Sequence, residues 1–134
     1  MKIGKLLTFK IMGDDRGNLI SLESNINIPF DFKRIYYIFK NVAGVERGFH
    51  AHKNLRQVAI CVHGSCTFIL DNGTERETIV LNDSSKGLLI ESMTWREMKD
   101  FSEDAVLMVL ASELYDVNDY IREYTEFKVI AGQK

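Results

Sequence analysis

The sequence of 134 residues lacks an apolar run that could cross a membrane, because its longest such run covers only residues 105–111. Its N-terminus shows neither a long apolar segment nor a small-residue cleavage site, so we expect a cytoplasmic protein. No basic block occurs among the 17 basic and 19 acidic residues, and the formal net charge is −2. These absences argue against a membrane or a nucleic acid as partner.

Cysteine and proline are also scarce, with two cysteines and one proline in the chain. If His63 and Gly64 form a two-residue turn, Cys61 and Cys66 face each other across a hairpin, where a disulfide could form. For a cytoplasmic protein we expect both cysteines to be reduced.

The length and composition suit one globular domain over residues 1–134. Short runs rich in β-branched and aromatic residues predict strands. These runs cover residues 6–11, 18–23, 34–39, 48–52, 57–62, 66–70, 77–81, 87–90, 97–101 and 105–111. Their spacing of roughly eight to twelve residues favours an all-β sandwich or barrel over βαβ units.

Two local patterns refine this picture. The Asn72-Gly73 pair predicts a hairpin with a type I′ turn, in which both central residues need positive φ. Residues 118–127 predict a short C-terminal helix, capped by Asp116 or Asn118.

The run over residues 106–110 is apolar at every position, so both faces of its strand should be buried. Burial of both faces requires a second covering layer. The simplest such layer is another copy of the chain, and we therefore expect a homodimer.

Histidine occurs three times, and two of the three are His50 and His52. On a strand this spacing points both imidazoles to the same face. A same-face pair beside Gly48 favours a functional site, whereas His63 fits a turn residue.

The residues around this pair resemble the first motif of the cupins. The spacing of that motif is kept by Gly48, His50, His52, Gln57 and Gly64. In metal-binding cupins the motif supplies two histidines and a glutamate, but here Gln57 replaces the glutamate. Arg96 stands near the place of a further histidine, and a guanidinium repels a cation. The resemblance therefore implies a cupin (jelly-roll) barrel with no metal and no other cofactor.

A longer stretch, from residue 15 to residue 127, is similar to the sugar 3,4-ketoisomerases, which act on dTDP-4-keto-6-deoxyglucose. The matching segments are residues 34–39, 47–57, 110–112 and 119–122. Arg96 departs from the histidine expected in this family after Trp95. The resemblance implies a homodimer that moves a ketone from C4 to C3 of the nucleotide-linked sugar. An aminotransferase could then place nitrogen at C3, on the way to 3-amino-3,6-dideoxy sugars of surface polysaccharides.

The reaction needs groups that accept and release protons near neutral pH, and histidine has an ordinary pKa of about 6.5. We therefore expect His50 and His52 to be the catalytic pair. A phenol could hydrogen-bond the developing oxyanion. Tyr37 is the candidate and Tyr36 the alternate, because neighbouring residues on a strand face opposite ways.

The pyrophosphate of a nucleotide sugar suits arginine and lysine side chains. Candidates for substrate binding are Arg47, Lys53, Arg96 and Arg122. Gln57 could bind a sugar hydroxyl, fix a histidine tautomer or be a structural hydrogen-bond partner.

Three other functions compete with the isomerase. A cupin-type epimerase would act on the same 4-keto sugar, but it would leave the ketone at C4. A non-catalytic sugar-nucleotide-binding cupin would need a pocket but no proton shuttle. A metal-dependent dioxygenase would require an iron site that Gln57 and Arg96 disfavour.

Overall fold

Short strands form most of the regular structure in the computed structural model, which describes residues 3–133. The strands are β1 Lys5–Thr8, β2 Met12–Asp14, β3 Gly17–Leu19, β4 Arg34–Ile38, β5 Arg47–His52, β6 Gln57–His63, β7 Cys66–Asp71, β8 Arg76–Leu81, β9 Lys86–Ile90, β10 Trp95–Lys99, β11 Val106–Ala111 and β12 Tyr120–Ile121. A 3₁₀ helix spans Val117–Asp119, and helix α1 spans Tyr124–Ala131. Within residues 3–133, no helix is long and apolar enough to cross a membrane.

Two five-stranded antiparallel sheets face each other and form the barrel. The first has the order β1-β9-β6-β11-β4, and the second has the order β12-β5-β10-β7-β8. Apolar side chains from both sheets fill the space between them, among them Phe68, Leu70, Leu88 and Leu107. The predicted all-β jelly roll with a short C-terminal helix is confirmed.

The outer face of the first sheet is covered by the chain's own N-terminal segment. Phe9, Ile28 and Phe30 pack there against Ile60 and Leu110, and all five are buried. The sequence predicted burial on both faces of β11 but assigned the covering layer to another copy. The structure corrects that assignment for the part of the sheet under this segment, because residues 9–30 fold back over it.

The connection between β7 and β8 is a hairpin, as predicted, but its turn is not type I′. The strands are separated by residues 72–75, and only Gly73 in this turn has a positive φ, of 99°. The side chain of Asn72 accepts the N–H groups of Thr74 and Glu75. This side-chain bonding closes a four-residue loop and removes the need for two residues with positive φ.

His63 and Gly64 do not form the two-residue hairpin turn that the sequence left open, because β6 and β7 belong to different sheets. The chain crosses from one sheet to the other at this point. Cys61 and Cys66, on either side of the crossing, are both buried and free.

The predicted helix over residues 118–127 begins too early. Asp116 does cap a helix, but it is the 3₁₀ turn, where its side chain accepts the Asn118 N–H at 3.0 Å. Ile121 lies in β12, buried against β5, and α1 begins at Tyr124. Pairing with β5 holds residues 120–121 extended, which overrides their local helical pattern.

Candidate active site

A bulge in β5 shapes the site. Gly48 and Phe49 both have positive φ, of 90° and 59°. The register with β10 shifts at this point, where His50 pairs with Arg96 and Gly48 pairs with Glu97. A Cβ on Gly48 would lie 2.9 Å from the carbonyl oxygen of Arg96, so the close approach of the strands requires glycine. The bulge therefore sets the direction of the strand just before the histidine pair.

The two histidines and Tyr120 form a compact group of rings. The centroids of His50 and His52 are 4.9 Å apart, and that of Tyr120 lies 5.0 Å from His50 and 4.4 Å from His52. His52 is buried, and His50 is half-buried. The expectation that both imidazoles share one face of β5 is confirmed.

Asp119 orients His52. Its Oδ2 lies 3.1 Å from His52 Nδ1, and its carboxylate also accepts the backbone N–H groups of Asn54 and Leu55. A carboxylate held in this way favours the tautomer with a proton on Nδ1 and a lone pair on Nε2. His52 Nε2 is buried and makes no hydrogen bond to any residue in the range 3–133. The nitrogen that can accept a proton is thereby left open.

Arg96, Gln57 and Tyr36 form a second polar group inside the barrel. Arg96 Nη1 donates to Gln57 Oε1, and Arg96 Nη2 donates to the carbonyl oxygen of Thr94 at 2.9 Å. Gln57 Nε2 donates to the hydroxyl oxygen of Tyr36 at 3.0 Å. The Arg96 side chain is 1% exposed, and its Nε has no partner among the described residues.

Burial and the charge of Arg96 control ionisation in the site. Burial, and then the positive charge of Arg96, lower the pKa of His50 to about 4. The same causes, in the same order, hold the pKa of His52 far below its usual value. Burial lowers the pKa of Arg96 to about 10, which leaves its guanidinium charged at neutral pH. Near pH 7, two neutral imidazoles therefore lie in the field of one buried cation.

A cleft with a volume of about 520 Å³ opens beside His52. Arg34, Tyr115, Asp119 and Tyr120 are among the residues that line it. The guanidinium of Arg34 lies over the rings of Tyr36 and Tyr115, at 5.3 and 5.8 Å from their centroids. The volume of the cleft is in the range of clefts that bind small-molecule ligands, about 300–1,000 Å³.

Tyr37 does not join this group. Its side chain is 64% exposed on the outer face of β4 and contacts Phe39, with ring centroids 5.7 Å apart. Tyr36, the alternate, faces the barrel and contacts Gln57. The prediction that the two tyrosines face opposite ways on β4 is confirmed. The choice between them differs from the prediction, because Tyr36 is the one that points into the barrel and Tyr37 points outward.

The other predicted binding residues differ in position. Arg47 and Lys53 are exposed, at the first residue of β5 and immediately after its last. The guanidinium of Arg122 lies 4.3 Å from the centroid of the Tyr120 ring, so it is next to the histidine pair. Arg96 and Gln57 are instead buried inside the barrel.

The residues present do not fit a cupin metal centre. Among residues 3–133, no three His, Cys, Asp or Glu side chains are grouped so that they could hold a metal ion. The position beside the histidine pair is taken by the Arg96 guanidinium, whose charge would repel a cation. A metal-independent reaction stays our prediction for this site.

Asp119 and Tyr120 are site residues that sequence reasoning missed. They lie in the segment 119–122, which carried part of the family resemblance but was assigned to a helix. In the structure Tyr120 pairs with His52 across the sheet, which brings both residues to the imidazoles. An Asp-Tyr pair in a matching segment was the available signal.

Known proteins match this chain over nearly its whole length. The family model described as WxcM-like, C-terminal (FdtA) matches residues 2–132. A TDP-4-oxo-6-deoxy-alpha-D-glucose-3,4-oxoisomerase from Aneurinibacillus thermoaerophilus is 51% identical over 124 residues, which are 92% of this chain and 89% of that protein.

Solved structures give the same result. The chain superposes with a TM-score of 0.96 on a histidine-to-asparagine variant of the 3,4-ketoisomerase QdtA from Thermoanaerobacterium thermosaccharolyticum, solved in complex with TDP-4-keto-6-deoxyglucose. That match has 46% identity and covers 100% of this chain and 97% of the other. The TDP-quinovose 3,4-ketoisomerase WlaRB from Campylobacter jejuni gives a TM-score of 0.92 at 50% identity, over 96% and 99% of the two chains. The predicted resemblance is confirmed, and the chain belongs to the WxcM-like, C-terminal family as a sugar 3,4-ketoisomerase.

Proposed function

We propose that the chain converts dTDP-4-keto-6-deoxy-D-glucose into a dTDP-3-keto-6-deoxyhexose by metal-independent proton transfer between C3 and C4. The observation that carries this proposal is the neutral histidine pair, in which Asp119 holds His52 with its Nε2 open. The names of the relatives at 46–51% identity support the same reaction and substrate.

The chemistry follows from these groups. A neutral imidazole takes the proton from C3, and the electron pair of the C–H bond forms the C3–C4 double bond of an enediolate. The π pair of the C4 carbonyl moves to the C4 oxygen, which takes a proton as the C3 hydroxyl loses its own. As the C3–O bond becomes the ketone, the electron pair of the C3–C4 double bond takes the proton back from the imidazolium at C4. His50 and His52 are placed side by side for adjacent carbons, and no electron acceptor is required. Either histidine can act at either carbon in this scheme.

We assign the pyrophosphate to the exposed cations Arg47, Lys53 and Arg122 around the histidine pair. Their side chains reach solvent, where the nucleotide enters, and arginine forks match phosphate oxygens. Arg96 and Gln57 are buried inside the barrel, and we place the sugar end of the substrate at this inner end of the site.

A proton NMR time course in D₂O tests the function, with dTDP-4-keto-6-deoxyglucose as substrate and EDTA present. We expect loss of the C3 hydrogen signal and appearance of a 3-keto sugar, whose C4 configuration identifies the gluco or galacto product. Exchange at C5 with the ketone still at C4 would instead identify an epimerase. Binding without exchange would leave a sugar-nucleotide-binding protein.

We also propose that the protein is a homodimer. Strand β4 is at the edge of its sheet, and its outward side chains Ile35 and Tyr37 are 51% and 64% exposed, with Phe39 after it at 54%. An apolar row along a sheet edge is suited to a second copy of the chain. Sedimentation equilibrium should give twice the chain mass of 15.4 kDa. Charge at the row, as in Tyr37→Asp, should shift the protein to monomer, and a monomeric wild type would refute the proposal.

We place the reaction in the cytoplasm, in the biosynthesis of 3-amino-3,6-dideoxy sugars for surface polysaccharides such as lipopolysaccharide O-antigen. The two free buried cysteines support a reducing compartment. A 3-keto sugar is the substrate that a C3 aminotransferase needs. Addition of such an enzyme and an amino donor to the reaction should therefore yield the 3-amino sugar, and only when this protein is present.

A further inference from the structure

A chain of hydrogen bonds leads from Arg96 through Gln57 to Tyr36, and its direction is determined by chemistry. A guanidinium can only donate, so the atom of Gln57 that faces Arg96 must be the amide oxygen. The amide nitrogen therefore faces Tyr36, and because an amide nitrogen can only donate, the Tyr36 oxygen accepts. Arg96 is itself anchored by its bond to the carbonyl oxygen of Thr94.

The proton of the Tyr36 hydroxyl is consequently not used within this chain of bonds. No residue in the range 3–133 accepts a hydrogen bond from Tyr36. Burial raises the pKa of Tyr36, so the phenol keeps its proton at neutral pH. Arg96 also influences the ionisation of Tyr36 and of both histidines, which places the four side chains in one electrostatic environment.

We propose that Tyr36 donates a hydrogen bond to the enediolate oxygen that forms on the sugar, and that Arg96 and Gln57 are positioning residues that hold Tyr36 in this role. This inference rests on the proposed function, because it requires an enediolate. Each bond in the chain polarises the next toward the phenol, whose proton is directed to the developing negative charge. The fixed donors need no reorganisation when the charge appears.

The proposal explains the two departures from the metal-binding cupin motif together. A glutamate at position 57 would accept bonds from both Arg96 and the Tyr36 hydroxyl, so the phenol proton would be turned away from the substrate. A glutamine beside an arginine is the combination that leaves this proton free. Gln57 and Arg96 thus act together to orient the hydroxyl group of Tyr36.

Three variants test this orientation of Tyr36, with kcat, KM and the affinity for TDP measured for each. Removal of one oxyanion donor typically costs about 10²–10³-fold in kcat, so we expect Tyr36→Phe to lose about 100-fold with TDP affinity unchanged. Tyr37→Phe is the matched control on the same strand, and it should keep the wild-type kcat. Gln57→Glu should lose at least about 10-fold in kcat while it melts at or above the wild-type temperature, because it pairs with Arg96.

The double variant separates positioning from a purely structural effect. If Gln57 acts through Tyr36, Gln57→Glu must cost less in the Tyr36→Phe background than in the wild type. Fully additive losses, or a Gln57→Glu protein as active as the wild type, would overturn the proposal, as would a Tyr36→Phe variant with wild-type kcat. A wild type that shows no C3 exchange would instead refute the proposed function, so the two failures are distinguishable.

Discussion

Strand β10 carries two polar clusters, one on each face, and each contains an arginine. On the outer face, Arg76 from β8 bonds to Asp71 and Glu97, each at 2.9 Å. The same carboxylates accept Tyr124 at 2.6 Å and Trp95 at 2.9 Å. On the inner face, Arg96 bonds only to an amide and a carbonyl oxygen, and no carboxylate within the described residues pairs with it.

The two arginines differ in how their charge is balanced. Hydrogen bonding to Glu97 is the main cause that raises the pKa of Arg76, whereas burial lowers the pKa of Arg96 to about 10. The charges of the outer cluster pair with one another, and its hydrogen bonds attach α1 to the second sheet. Among the described residues, no carboxylate of the inner cluster bonds to its buried cation, although the charge of Asp119 acts on it, and such a cation costs free energy unless a ligand offsets it. We therefore expect the functional cluster to be the inner one, whose charged and polar groups are not all paired with one another.

The largest effect should come from the histidine pair of the inner cluster. His50→Asn and His52→Asn remove the proton carriers, and general acid–base catalysis contributes about 10²–10⁴-fold. We expect each variant to lose about 10³-fold or more in kcat with TDP affinity retained, measured by the NMR assay and by calorimetry. His63→Asn, at an exposed site, is the matched control. Activity within 10-fold of wild type in either variant would remove that histidine from the catalytic pair.

The outer cluster should respond in stability and not in chemistry. Asp71 is 2% exposed and accepts bonds from Gly73, Arg76 and Tyr124. We expect Asp71→Ala to lower the free energy of unfolding by about 2–3 kcal/mol, measured by urea denaturation. At a temperature where the variant is folded, kcat should stay within twofold. The exposed Glu103→Ala should change stability by less than about 0.5 kcal/mol, and a similar loss there would show that the cluster is not special.

A variant of Asp119 tests whether a residue beside the histidine pair can affect catalysis without contact with the substrate. Asp119→Asn keeps the shape but loses the charge that favours the proton on His52 Nδ1, so kcat should fall about 10–100-fold, as for comparable histidine partners. The KM should change little. A loss confined to KM would instead assign Asp119 to substrate binding.

The smallest effect should be a shift in pH dependence. Only the neutral imidazole can accept the C3 proton, so activity is lost as pH falls through the pKa of the base. With the pKa of His50 at about 4, kcat/KM should be flat from pH 5 to 8. Burial is the larger cause of the low pKa of His50 and remains in Arg96→Met, but the variant removes a positive charge that disfavours the protonated imidazole, so the apparent pKa should rise above about 4 and stay below the ordinary histidine value. An unchanged acid limb in that variant would show that Arg96 does not act on the pair.

Much of the fold was predictable because its strands are local patterns. The segments that became β4 to β9 and β11 were predicted within one residue at each end. The strands at β1 and β3 were predicted three and four residues too long at their C-terminal ends, and β2 was not predicted. Elsewhere a distant partner decided the conformation, as at Ile121, which pairs with β5 and does not join the helix. Strand β10 was predicted two residues late for a related reason, since Trp95 begins it through its pairing with Asp71 of β7.

The placement of His50 and His52 side by side was also predictable, because their spacing puts both side chains on one face of a strand. Their supporting residues were not. Asp119 is 67 residues away in the chain from His52, and no local pattern connects them. The choice of Tyr36 over Tyr37 depended on which face of β4 turns inward, and both residues suit a strand.

The amino-acid sequence by itself determined an all-β chain, a same-face histidine pair and the replacement of metal ligands by Gln57 and Arg96. These features follow from residue type and short-range spacing. The tertiary structure alone decided which groups surround the pair, how far Arg96 is buried, and which way the Gln57 amide and the Tyr36 phenol point. Burial and hydrogen-bond direction arise only when strands distant in the chain close into the barrel, because the low-dielectric interior exists only in the folded protein.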